Sequence, residues 1–156
     1  MVAGMPVGGF RAPESQVLDN GCRLDVLSRH LTSRELVALV SGCRYLVLPY
    51  KDASQSGVAL TAYGLGKCVV ATDVGGLRDY VADRLTGRLV PAGDPAHLAR
   101  AIVDLCDDPS ELARLEAGVR GSISSTLSWE RFAGEVCEVY REAVLGGAKG
   151  GRSCPA

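Results

Sequence analysis

The sequence has little charge of either sign to spare. Its 17 Lys and Arg stand against 18 Asp and Glu, a formal net charge of −1. That balance leaves no basic excess of the kind a nucleic-acid-binding face carries. No apolar run comes near the roughly 20 residues that a bilayer span needs. The opening MVAGMPVGGF lacks the charged start and long apolar stretch of a secretory signal. A cytoplasmic location is therefore expected, with a peripheral position at the inner face of the membrane as the variant of it. Histidine is scarce. Only His30 and His97 are present, neither beside clustered carboxylates, so no metal site is expected. The six cysteines (Cys22, Cys43, Cys68, Cys106, Cys137 and Cys154) stand singly, with no C-x-x-C pair. Most lie beside apolar residues, which points to reduced thiols rather than a disulfide or metal framework. Cys43, Cys68 and Cys106 are expected to be mostly buried. Internal repeats and blocks of like charge are absent.

What is present is an ordinary globular composition, 47% hydrophobic and 22% charged, over 156 residues. That length suits one domain with a real core. Short β-rich runs alternate with amphipathic stretches of about three turns. RLDVLSR from Arg23, YLVLP ended by Pro49, CVVATD, and GRLVPAG read as strands. TSRELVALVSGC reads as a helix capped by Thr32 or Ser33, with Glu35 in the first turn and Leu36, Leu39 and Val40 on one face. SGVALTAYGLG reads as a helix from about Ser56 to Gly66. Asp94 and Pro95 open another, with Leu98, Ala101, Ile102 and Leu105 along one stripe. PSELARLEAGVRGSI follows. SWERFAGEVCEVYREAVL, capped by Ser128, is expected to turn Phe132, Val136, Val139 and Tyr140 inward, with Trp129 as a packing anchor.

Short, fully apolar strands separated by helices indicate a parallel sheet covered on both faces. The expected class is α/β, a doubly wound, Rossmann-like sheet with a helical C-terminal tail. The domain is expected to span residues 1–144, with a disordered glycine-rich tail at 145–156. MVAGMP reads as the end of a buried strand, so the domain is expected to lack its N-terminal strand and helix.

In such sheets ligands bind at the carboxyl ends of the strands. SQSG lies at that kind of junction, between the strand YLVLP and the next helix. A helix's first turn offers unpaired N–H groups and the positive end of its dipole, and a glycine there lets a ligand approach the main chain. Ser54, Gln55 and Ser56 add polar groups suited to a sugar carried on a diphosphate. The same residues also make an ordinary cap. After the next strand, Gly75 and Gly76 form a turn toward the same crevice, or simply supply a positive φ. His30, Asp73, Asp79 and Asp83 read more simply as surface or capping groups.

The series from LPYKDASQSGVALTAYGLGKCVVATDVGG to RLVPAGDPAHLARAI, with HLTSRELVALVSGCRYLVLPY before it and LSWERFAGEVCEVY after it, resembles the donor-binding C-terminal domain of group-1, RfaG-like retaining glycosyltransferases of the GT-B architecture. The resemblance covers roughly Asp25 to Tyr140. It implies transfer of a hexose from a UDP- or GDP-sugar, the donor substrate, to a glycan or lipid-linked acceptor in polysaccharide or glycolipid synthesis, with no cofactor. It also implies an acceptor-binding N-terminal domain and diphosphate-binding Arg and Lys upstream of Met1, without which the isolated chain is not expected to turn over. Residues implied at the donor site are Ser54, Gln55, Ser56, Gly57, Val58, Thr61, Gly75 and Gly76, with Arg29 and Leu31 beside the nucleotide base. No catalytic residue is singled out. The family's two glutamates fall at Ala53 and Thr61, neither acidic, and Cys68 replaces its usual proline. That departure leaves open a non-catalytic nucleotide- or sugar-binding domain. An unrelated flavodoxin-like phosphate-binding regulator is a weaker alternative, since Asp73 has no acidic partner beside it.

Overall fold

Parallel pairing organises the chain, for which a computed structural model describes residues 1–4, 13–125 and 128–147. These fall into two compact units, Met1–Cys43 and Arg44–Ala156.

The first unit contains β1 (Val2–Ala3), β2 (Gln16–Val17), β3 (Arg23–Leu24), β4 (Val26–Leu27) and α1 (Ser33–Gly42). β1 pairs in parallel with β4, and β2 pairs antiparallel with β3. The single strand expected from Arg23 is thus divided at Asp25. Its first half closes a hairpin through Leu18 N–H to Cys22 O at 2.8 Å. Its second half is claimed by other partners. Val2 N–H donates to Asp25 O at 2.7 Å, and Val26 N–H to Ser15 Oγ at 2.8 Å. α1 starts on a reciprocal cap, in which Glu35 N–H donates to Thr32 Oγ1 at 3.3 Å and Thr32 N–H to Glu35 Oε2 at 2.9 Å.

The second unit contains β5 (Leu46–Leu48), α2 (Gly57–Gly64), β6 (Val69–Thr72), a 3-10 turn (Gly75–Asp79), β7 (Gly87–Val90), α3 (Pro95–Asp107), α4 (Pro109–Ser125) and α5 (Trp129–Gly147). Its sheet is parallel throughout, in the order β5-β6-β7, with Leu48 beside Ala71 and Thr72 beside Val90. All four residues of the central strand β6 are buried, so both of its faces are covered. α2 packs on β5 and α4, while α3 packs on β6, β7 and α4. Tyr63, Leu77, Leu105, Leu115 and Val119 are fully buried among them. The protein is an α/β fold of the expected parallel kind.

Three expectations need correction. Of the thiols, Cys68 is buried, Cys43 is half-buried and Cys106 is exposed. Cys106 follows the buried Leu105 on α3, and one helical step turns a side chain by about 100°, off the apolar stripe. No disulfide forms among the described residues, and Cys154 lies outside them. Second, α5 does not turn its apolar face inward: Phe132, Val139 and Tyr140 are exposed, and only Val136 is partly covered. Trp129 is no core anchor either. It is 80% exposed and meets Phe132 edge to face at 5.8 Å. Periodicity marks an apolar face but does not supply the surface that covers it. Third, the tail expected to be disordered from residue 145 is helical to Gly147. Residues 148–156 lie outside the described residues.

Candidate functional site

The parallel register brings two loops to one edge of the sheet. β5 and β6 end side by side, and Thr72 Oγ1 at the end of β6 donates to Tyr50 O at 2.6 Å, just past β5. From that edge the chain runs through Ala53–Ser56 into α2, and from β6 into the Gly75–Asp79 turn.

α2 is capped by Ser56, which is 4% exposed. Its Oγ accepts from Ala59 N–H at 3.2 Å, and Leu60 N–H donates to Ser56 O at 3.2 Å. Tyr50 Oη lies 3.3 Å from the same Oγ. The N–H groups of Gly57 and Val58 meet no acceptor among the described residues. These are the first-turn donors that a helix leaves over. A Cβ built on Gly57 would have nothing within 4 Å. The start of α2 is therefore open to something outside the fold.

Gly75 and Gly76 have a different neighbourhood. Gly75 has φ +46°, and a Cβ there would run into the carbonyl oxygen of Ala53. Gly76 has no positive φ, but its Cβ would run into Ser54 O. Gly76 N–H donates to Ala53 O at 3.2 Å. The double glycine is thus a seat for the SQSG loop, because two backbones meet where no side chain fits. Just beyond it, Tyr80 Oη accepts from Ser56 N–H at 3.0 Å, and its ring meets Tyr63 edge to face at 6.5 Å. Burial raises the Tyr80 hydroxyl above its ordinary pKa and pushes that of Tyr63 up to about 12. Both stay protonated near neutral pH.

Among the implied site residues, Ser54, Gln55 and Gly57 are exposed, Ser56 is buried, and Val58 and Thr61 are half-buried along the first turns of α2. Thr61 Oγ1 donates to Gly57 O at 2.8 Å, so its proton is spent inside the helix. Arg29 and Leu31 belong to the first unit. Arg29 Nη2 pairs with Glu35 Oε1 at 2.7 Å, and that hydrogen bond, with those from Thr32, brings the carboxyl down to about 2. Arg29 therefore buttresses the cap of α1. Asp73 pairs with Arg78 at 3.0 Å, and Asp83 Oδ1 accepts from Leu89 N–H at 2.9 Å. Both carboxylates line a hollow of about 530 Å³ with Leu89, Val90, Pro91 and Ala92. Two negative groups make that hollow a poor seat for a diphosphate. Among the described residues no cluster of His, Cys, Asp and Glu could hold a metal ion. Sequence reasoning missed Tyr50 and Tyr80, whose hydroxyls serve the loop from outside it.

The profile of the family described as "Glycosyl transferases group 1" matches residues 5–108. The chain belongs to the group 1 glycosyltransferase family. Among curated proteins it is 39% identical over 147 residues to a D-inositol 3-phosphate glycosyltransferase of Thermobispora bispora, across 90% of this chain and 34% of that protein. Among solved structures it resembles sucrose-phosphate synthase from Thermosynechococcus elongatus, with TM-score 0.69, 30% identity, and coverage of 78% of this chain and 31% of that one. It also shares its fold with Anabaena Alr3699/HepE in complex with UDP-glucose, with TM-score 0.66, 20% identity, and coverage of 77% and 32%. The chain spans about a third of the length of these proteins. No helix among the described residues is long and apolar enough to cross a membrane.

Proposed function

We propose that this chain is the donor-binding part of a glycosyltransferase that moves a hexose from a UDP- or GDP-sugar to a glycan or lipid-linked acceptor. The observation that carries the reading is the open start of α2, where Gly57 and Val58 present unpaired N–H groups at the carboxyl edge of a parallel sheet. A diphosphate is the ligand such a helix start favours. Ser54, Gln55 and Ser56 supply polar contacts, Val58 and Thr61 continue the wall along α2, and Gly75 and Gly76 hold the loop in place. Family membership supports the activity, and HepE's complex with UDP-glucose illustrates the same fold with such a donor. The acceptor would be held by a second half outside these residues, in a cytoplasmic enzyme of polysaccharide or glycolipid synthesis. No metal or other cofactor is invoked.

The spent proton of Thr61, and the non-acidic Ala53, favour a second reading. In it the chain binds the nucleotide sugar without supporting transfer. Ligand-observed NMR with UDP-, GDP- and ADP-sugars tests what the two share. Binding of the UDP- or the GDP-sugar is expected, and binding of neither would refute both. Release of free UDP or GDP from the bound sugar in the presence of acceptor, measured on a protein that joins this chain to the acceptor-binding half, separates the first from the second.

A further inference from the structure

Three ties join the loop before α2 to the segment after β6. Gly75 and Gly76 seat the carbonyls of Ala53 and Ser54, Gly76 N–H donates to Ala53 O at 3.2 Å, and Ser56 N–H donates to Tyr80 Oη at 3.0 Å. The third is unusual in kind. A residue at an N-cap has a backbone N–H that no helical carbonyl can take. Here a side chain 24 positions downstream takes it, and that side chain is itself wedged against the fully buried Tyr63 ring. With Ser56 N–H held by Tyr80 and Ala59 N–H held by Ser56 Oγ, the donors left over are those of Gly57 and Val58. The cap residue sits between two hydroxyls, Tyr80 on its N–H and Tyr50 on its Oγ.

We propose that Tyr80 is a positioning residue of the donor site, whose hydroxyl fixes the angle at which the chain enters α2 and so aims the Gly57 and Val58 N–H pair at the diphosphate. This rests on the donor reading given above. Tyr80 touches neither the diphosphate nor the sugar; it acts through Ser56. The consequence is selective, because only the diphosphate-bearing part of the ligand depends on the aim of these two donors. The ribose and base do not.

The discriminating variant is Tyr80→Phe, which keeps the ring against Tyr63 and removes only the oxygen. Affinities for UDP and for uridine are measured on the parent and the variant by ligand-observed NMR, with thermal melts alongside. The expected result is that Tyr80→Phe weakens UDP binding about three- to tenfold, the worth of one or two displaced hydrogen bonds, and leaves uridine binding unchanged. Tyr80→Leu, which also loses the edge-to-face contact, is expected to lower the melting temperature as well. Equal loss for UDP and uridine in Tyr80→Phe would make the role merely structural and overturn the proposal. So would unchanged UDP affinity in Tyr80→Phe when the parent binds UDP. Where the parent binds GDP in place of UDP, GDP and guanosine take the place of UDP and uridine; failure of the parent to bind either diphosphate would instead refute the donor reading, and the positioning role with it.

Discussion

Gly57 and Gly76 differ in what an added side chain would meet. At Gly57 there is open space, so Gly57→Val costs only the helix preference, under about 1 kcal/mol. Its methyl groups would stand in the way of the diphosphate. The expected outcome is a nearly unchanged urea midpoint and loss of nucleotide-sugar binding. Gly76→Ala is expected to cost stability where Gly57→Val does not. Its Cβ runs into Ser54 O, and relief requires the loop to move, at a cost of about 1–3 kcal/mol. Urea denaturation of the two variants checks the contrast, and equal midpoints would contradict it. Gln55 is exposed beside them, and Gln55→Ala is expected to weaken donor binding by about 0.5–1.5 kcal/mol if its amide makes one hydrogen bond. The serine and glycine types of this stretch were legible in the sequence. The seat was not, because nothing in the letters VGG says which backbone they will touch.

Helix starts were the most readable features, since a cap is decided within four residues. The Thr32–Glu35 box, the Ser56 cap, and Asp94 followed by Pro95 all formed as the sequence suggests. The first has a pH signature. Hydrogen bonds from Arg29 and Thr32 hold the Glu35 carboxyl at about 2, below its usual value of 4.5. A carboxyl whose pKa is lower folded than unfolded stabilises the fold above the unfolded value and loses that effect as pH falls through the folded one. Glu35→Gln should therefore destabilise the protein at pH 7 and lose most of that difference near pH 2. Melts of both proteins at the two pH values check the sign, and a difference that grows toward acid would contradict it. Faces were harder to read than starts. α3 and α5 show similar apolar spacing, yet α3 buries Leu105 completely while α5 leaves Phe132, Val139 and Tyr140 exposed. Leu105→Ala is expected to cost about 2–5 kcal/mol, and Phe132→Ala only about 0.5 kcal/mol or less. A loss for Phe132→Ala as large as that for Leu105→Ala, measured by chemical denaturation, would mean that α5 is buried after all.

Strand direction follows from the pattern of fully apolar strands between helices, and the β5-β6-β7 sheet is parallel as expected. The hairpin of β2 and β3 did not follow. Its two-residue strands are too short to carry a period, and their pairing depends on turn contacts rather than hydrophobic alternation. The site was half legible: the loops were readable, and the two tyrosines that brace them were not, because Tyr80 acts from 24 positions away and Tyr50, six positions from Ser56, acts through a loop whose path has no periodicity to read. The central claim is that the diphosphate of a nucleotide sugar meets the start of α2. It is tested most directly by titrating UDP-glucose into the isotopically labelled protein and following backbone amide shifts. The account predicts saturable shifts led by Gly57 and Val58, with Gly76 following and the hollow around Asp83 and Leu89 undisturbed. Shifts centred on Asp83, Leu89 and Ala92 with none at Gly57, or no saturable shift at all with UDP-glucose or a GDP-hexose, would contradict it.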